Sequence, residues 1–157
     1  MRFVSVDGDT FPFGAIVAAV SVERDTARVR LERLVLVDDC GRAINPLLVE
    51  GQLAGGAAQG IGEALLELVA YGSDGQLMTG SLLDYAVPRA DSVPDLEFDR
   101  TETPSPRNPL GAKGVGESAT VGTPAAITNA VLDALRPLGV QNVELPITTE
   151  QVWRLLQ

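Results

Sequence analysis

The hydrophobic positions of this chain form a short succession of distinct patterns. Ala15 to Val22 is an almost continuous apolar run rich in Val and Ala. A second run begins with alternation, Val29 and Leu31 against Arg28, Arg30 and Glu32, and turns wholly apolar from Leu34 to Val37. The short polar stretch between them, residues 23–28, predicts a β-hairpin. The change of pattern predicts a second strand that passes from a half-exposed edge into a core. It is expected to end in a polar loop, Asp38-Asp39-Cys40-Gly41-Arg42.

Apolar residues then recur at helical spacing from Leu47 to Leu68, with Glu63 and Glu67 marking a wet side. Asn45-Pro46 supplies a cap followed by proline at the first helical position. Inside this helix lie Gly51, Gly55, Gly56, Gly60 and Gly62. Each costs roughly 1 kcal/mol relative to alanine, which is large in sum against a total stability of about 5–15 kcal/mol. Two explanations stand: a smooth face packed closely on a neighbour, or main chain that a ligand or another backbone must approach.

Residues 71–75 form a turn cluster, and Leu82 to Val87 reads as a short strand or extended segment. Asp95 to Thr103 contains alternation (Leu96 and Phe98 against Glu97 and Asp99) and predicts a strand; Thr103 to Pro109, with three prolines, predicts a loop. Thr123-Pro124 repeats the cap-plus-proline signal and predicts a helix to about Leu135, with Ile127, Val131, Leu132 and Leu135 inward. Val143-Glu144-Leu145 is expected to be a last short strand. Thr148-Thr149-Glu150-Gln151 resembles a capping box opening a terminal helix with Trp153, Leu155 and Leu156. The predicted architecture over residues 1–157 is a single α+β domain: a mixed β-sheet with a long Gly-rich helix and a second helix packed on it.

Composition removes several chemistries. The 157 residues include no histidine and one cysteine, Cys40. A His-based zinc site, a Ser-His-Asp triad and a Cys-rich metal site are therefore excluded. Cys40 itself is expected to be a small buried residue. The net charge of −9 and the absence of a basic run argue against a nucleic-acid partner. Residues 1–7 lack the apolar run of a signal peptide, and no stretch reaches the ~20 apolar residues of a membrane span. The expected localisation is cytoplasmic.

Two segments can carry chemistry. In Gly111-Ala112-Lys113-Gly114-Val115-Gly116-Glu117, three glycines around a lysine could aim backbone N–H groups at an anion, with Lys113 supplying charge. A nucleotide-binding phosphate loop requires Ser or Thr after the lysine, whereas Lys113 is followed by Gly114. Glu117 has two possible uses: a desolvated general base beside a glycine-lined cavity, or a favourable charge at a helix N-terminus. In Gln52 to Gly62, Gln59 sits among residues too small to cover it. It is either a surface glutamine or an amide that hydrogen-bonds a polar heteroaromatic ligand.

An ordered series of segments, covering nearly the whole chain, resembles one family. The series begins with Thr10-Phe11-Pro12-Phe13-Gly14-Ala15, continues with Val37 to Pro46, and then with Val49-Glu50-Gly51-Gln52 and Gly55 to Gly60. Tyr85 to Ala90 and Gly111 to Ile127 complete it. The resemblance is to the C-terminal part of the molybdopterin-binding large subunit of the xanthine dehydrogenase/aldehyde oxidase family, nearest its aerobic carbon monoxide dehydrogenase branch. It implies a molybdenum cofactor-binding domain, with Glu117 as the base toward the Mo–OH ligand that attacks the substrate carbon. It implies that Gln59 contacts the pterin–dithiolene, and that the backbone of Lys113, Gly114, Val115 and Gly116 lies near metal and pterin. The implied cofactor is molybdopterin, as its cytosine dinucleotide, and no protein side chain is implied as a metal ligand.

The resemblance also sets limits. Family large subunits are several times longer, and their upstream parts hold the other pterin contacts, the glutamine beside the apical oxo ligand and the copper-binding cysteine of true carbon monoxide dehydrogenases. Cys40 lies in a different motif, and Ala54 stands where relatives often have His. The chain is thus expected to be one wall of a site, empty of cofactor and without turnover by itself. Its expected partners are the N-terminal part of the large subunit and the iron–sulfur and FAD subunits. The substrate would be an aldehyde, a purine-like heterocycle or carbon monoxide. The alternative is a non-catalytic assembly domain pairing with itself or with an N-terminal partner chain through an apolar face.

Overall fold

The first two apolar runs form the expected hairpin, β1 (Phe13–Val22) and β2 (Val29–Asp39), paired antiparallel. The structure is a computed structural model and describes residues 8–157; the N-terminal segment read for a signal peptide lies outside the described residues. The register shifts between Ala19 and Val20, which face Arg33 and Leu31, so Glu32 is the extra residue of a β-bulge. The bulge explains the broken alternation of β2. Leu31 and Leu34 are three apart, yet both are buried on the same side as Leu36.

β3 (Leu96–Arg100) pairs parallel to β2, so β2 is the centre of a three-stranded mixed sheet ordered β1-β2-β3. The second strand is therefore central rather than an edge. It also runs further than its sequence implies: Asp38 and Asp39 belong to the strand and are buried instead of forming a polar loop.

α1 (Pro46–Leu65) begins as expected, with the Asn45 side chain accepting from the Leu48 N–H at 3.3 Å. It stops short of Leu68 because the N–H groups of Leu66 and Glu67 both turn back to Gly62 O, at 2.9 and 2.8 Å. Glu67 thus leaves the helix, and its carboxylate accepts from the Tyr85 hydroxyl at 2.5 Å.

α2 (Ser118–Leu135) begins five residues before the predicted Thr123 cap, and Pro124 lies inside it. Proline in a helix interior ordinarily costs about 3 kcal/mol. Here the ring seats against Gly60 of α1, where an added Cβ would stand 3.1 Å from Pro124 Cδ. Thr123 is fully buried and donates its hydroxyl to Ala119 O at 2.7 Å, so its side chain satisfies the helix from within instead of capping it. Tertiary packing overrides the local signal.

Two predicted strands do not form. Leu82 to Asp84 is a turn, and Val143 to Leu145 pairs with no strand. Pro146 cannot donate to a ladder, and the following Ile147 N–H goes to Ala64 O at the end of α1, 2.7 Å away. α3 (Thr149–Leu155) closes the chain, its cap Thr148 accepting from Gln151 N at 3.2 Å. The core joins Leu34 and Leu36 of the sheet to Ile61 of α1, Ile127, Val131 and Leu135 of α2, and Val152 of α3. The architecture is α+β, with the Gly-rich helix and α2 packed together and α2 lying along β1.

Candidate functional site

The loop from Gly111 to Glu117 is buried at its beginning and exposed toward its end. Gly111, with φ of +69°, has its carbonyl bound by the N–H groups of Arg42 and Ser105, both at 3.0 Å. The Asn108 amide brackets Ala112, donating to its carbonyl at 2.8 Å and accepting from its N–H at 3.2 Å. Gly41 must be glycine here: its φ is +64°, and an added Cβ would lie 2.2 Å from Gly111 O. Lys113 N then donates to Cys40 O at 2.8 Å.

The Lys113 side chain does not project toward an outside anion. Its Nζ forms an ion pair with Asp39 Oδ1 at 3.0 Å, with the two side chains 7% and 0% exposed, and lies 4.1 Å from the centre of the Phe13 ring. The bottom-up expectation that Lys113 supplies charge to a bound anion is corrected: the charge is spent internally. Burial alone would raise the Asp39 pKa, but the Gly41 N–H, Lys113 and Thr103 hold it well below the usual carboxylate range.

Asp38 is the neighbour on the opposite face. Registered against Gly14, as Asp39 is against Phe13, it looks toward the start of α2. Burial pushes its carboxyl pKa up, the Ser118 hydroxyl opposes that, and the charge of Asp39 adds to it. Its Oδ1 has no hydrogen-bond partner among the described residues. Cys40 is buried as expected, its thiol pKa raised first by burial and then by Asp38. The sequence reading missed both aspartates, although an acidic doublet directly after an apolar strand run and before Cys-Gly was a visible signal.

Beyond Lys113 the loop opens. Gly114, Gly116 and Glu117 are exposed and Val115 is half-buried, its carbonyl turned to the Ser118 N–H and hydroxyl at 3.4 and 3.1 Å. Glu117 is the N-cap residue of α2 but makes no capping bond, so its carboxylate is not used by the helix.

The glycines of α1 divide into two sets. Cβ atoms at Gly56 and Gly60 would meet Thr120 at 3.0 Å and Thr123 at 2.6 Å, so these two let α1 and α2 approach. At Gly62 the neighbours are Glu67 and Pro88. Gly51 and Gly55 face open space with nothing within 4 Å, and the same holds for Gly114. The close-packing explanation therefore holds at Gly56 and Gly60, while at Gly51 and Gly55 the main chain is left open. The open set adjoins the loop: a Cβ at Gly116 would stand 3.9 Å from Gln52 Oε1, and Thr120 Oγ1 donates to Gly56 O at 3.2 Å. Gln59 is exposed one turn past Gly55, and its amide donates to Glu63 at 3.4 Å.

This surface combines bare main chain, two exposed amides and one unengaged carboxylate. Such a set suits a polar heteroaromatic cofactor that stacks on backbone and exchanges hydrogen bonds with amides. No cluster of His, Cys, Asp or Glu side chains able to hold a metal occurs among the described residues. No helix is long and apolar enough to cross a membrane among the described residues.

Comparison with known proteins agrees with this chemistry. A profile described as the molybdopterin cofactor-binding domain matches residues 4–94. The carbon monoxide dehydrogenase large chain of Hydrogenophaga pseudoflava is 40% identical over 148 residues, 94% of this chain and 18% of that protein. The nicotine 6-hydroxylase large subunit of Paenarthrobacter nicotinovorans is 46% identical over 144 residues, 92% of this chain and 18% of its own length. The crystal structure of quinoline 2-oxidoreductase from Pseudomonas putida 86 superposes with a TM-score of 0.89 at 46% identity, covering 91% of this chain and 18% of that one. The chain thus spans less than a fifth of these relatives, and by its matched profile and its fold it belongs to the molybdopterin cofactor-binding domain family.

Proposed function

We propose that the chain forms one wall of the molybdopterin site in the large subunit of a molybdenum hydroxylase of the carbon monoxide dehydrogenase/aldehyde oxidase class. The observation that carries this reading is Glu117. An exposed carboxylate that makes no capping bond ends a loop anchored on β2, and its neighbour Gly116 adjoins Gln52 on the stretch of α1 that carries the open Gly51 and Gly55.

In this reading the backbone of Lys113, Gly114, Val115 and Gly116, together with Gln59, borders the pterin, and Glu117 is the general base. The bound cofactor supplies the two-electron oxidation of a substrate hydroxylated with oxygen from water. Glu117 accepts the proton released from the attacking oxygen, at its carboxylate. Gly51 and Gly55 leave the α1 main chain approachable, and Gln59 exchanges hydrogen bonds with the polar ring system. The cofactor form is the cytosine dinucleotide, and the substrate a heterocycle, an aldehyde or carbon monoxide. The partners are the N-terminal part of a large subunit with iron–sulfur and FAD subunits, in the cytoplasm. Exposed Leu47, Leu48, Leu82 and Leu83, each at least 65% accessible, support association with further polypeptide.

The test is the assembled enzyme with Glu117→Gln. Dye-linked turnover on carbon monoxide, nicotine, benzaldehyde and hypoxanthine is expected to fall by about 10²–10⁴-fold, with molybdenum content unchanged. Full turnover by the variant refutes the base assignment.

A further inference from the structure

We infer that Asp39 and Lys113 are positioning residues that aim Glu117, and this inference rests on the proposed role of that glutamate. Lys113 is anchored twice, through its N–H to Cys40 O at 2.8 Å and through Nζ to Asp39 at 3.0 Å. Asp39 cannot yield: it is 0% exposed, and its carboxylate also accepts from Gly41 N at 2.9 Å, Thr103 N at 3.1 Å and Thr101 Oγ1 at 3.0 Å. The Phe13 ring on β1 backs the ammonium.

The second anchor is Ser118, the first residue of α2. Its N–H and hydroxyl both reach Val115 O, at 3.4 and 3.1 Å. Lys113 and Ser118 thus mark the two ends of one short span. Between the ends lie only Gly114, Val115, Gly116 and Glu117. A Cβ added at Gly114 would meet no described atom within 4 Å, and one at Gly116 only the tip of Gln52. A segment with two glycines, packed on the core only through the half-buried Val115, is weakly held by itself, so the direction of Glu117 depends on its anchors. Displacing a reacting group by about 1 Å can cost about 10²-fold in rate.

The test combines two measurements. Hydrogen exchange in the 157-residue chain reads the amides of residues 114–118 in wild type, Lys113→Met, Lys113→Arg, and the double variant Asp39→Asn/Lys113→Met. The double variant removes both charges together and leaves no buried charge unpartnered, while the Asn oxygen still accepts from the Gly41 and Thr103 N–H groups, so it keeps the fold where the single change could lose it. Exchange at these amides is expected to rise by about tenfold or more in the Met variants, with the α1 and β2 amides unchanged, and to return toward wild type with Arg. In the assembled molybdenum enzyme, kcat on the panel above is expected to fall by about 10–100-fold in the double variant. KM and molybdenum content are expected to stay within about twofold of wild type, and Arg to restore most of the rate.

Unchanged exchange in the double variant, or a kcat loss that only follows lost molybdenum, overturns the inference. If Glu117→Gln is inactive while the double variant is fully active, the positioning role fails and the base assignment stands. If Glu117→Gln is fully active, the base assignment fails, while exchange still reports on the anchors.

Discussion

Alanine substitution at the glycines of α1 separates packing positions from open ones by sign. At Gly60 the new Cβ would lie 2.6 Å from Thr123 Cβ and 3.1 Å from Pro124 Cδ. Neither neighbour is the loose end of a flexible chain: Thr123 is fully buried and Pro124 is a ring within a helix. The two helices must move apart by several tenths of an ångström, an overpacking cost of about 1–3 kcal/mol. Alanine recovers about 1 kcal/mol of helix propensity, so Gly60→Ala should lose a net ~1 kcal/mol. At Gly51 and Gly55 nothing stands within 4 Å, and the same change should gain up to ~1 kcal/mol each. Urea denaturation followed by far-ultraviolet circular dichroism measures the difference. With a slope of about 2 kcal/mol/M, the midpoints of Gly60→Ala and Gly55→Ala should differ by about 1 M, on opposite sides of wild type. If all three variants shift the same way, the division of the glycines is wrong. In the assembled enzyme the order should reverse for pterin content, since Gly51→Ala and Gly55→Ala put methyl groups on the face proposed for the cofactor.

Further outcomes follow from the aspartates. Asp39 has its pKa depressed on folding, so it contributes stability that is present above the unfolded carboxylate value of about 3.9 and is lost as pH falls toward the folded one. The acid limb of the stability curve should therefore be shallower in Asp39→Asn than in wild type. Asp38 has its pKa raised by burial, so its charged form opposes folding and stability declines as pH rises through its titration. Asp38→Asn should raise the neutral-pH urea midpoint, by about 1 kcal/mol equivalent, and flatten that decline. Lys113→Met alone leaves Asp39 buried without its cation and should cost about 3–5 kcal/mol, while adding Asp39→Asn, which removes the charge and keeps the acceptor oxygen, should recover much of the loss. Strict additivity in that cycle would argue against direct coupling of the pair.

Local patterning determined much of this protein. The hairpin, the Asn45-Pro46 start of α1, the strand at Leu96 to Arg100 and the capped terminal helix are readable because each depends on neighbours a few residues apart. The Glu117 loop and Gln59 were also visible in the sequence, as glycine-rich segments carrying one polar group. Tertiary structure decided what depends on distant partners. Pro124 sits inside α2 because Gly60, on another helix, makes room for its ring. Val143 to Leu145 forms no strand, and the chain that follows it is tied to the end of α1. Asp39 is strand and core rather than loop because its counter-ion arrives from 74 residues away. A buried charge is stable only with its partner in place. Which glycines of α1 touch a neighbour and which stay open is likewise a property of helix crossing, not of the helix, because a missing side chain carries no sign of what stands opposite it.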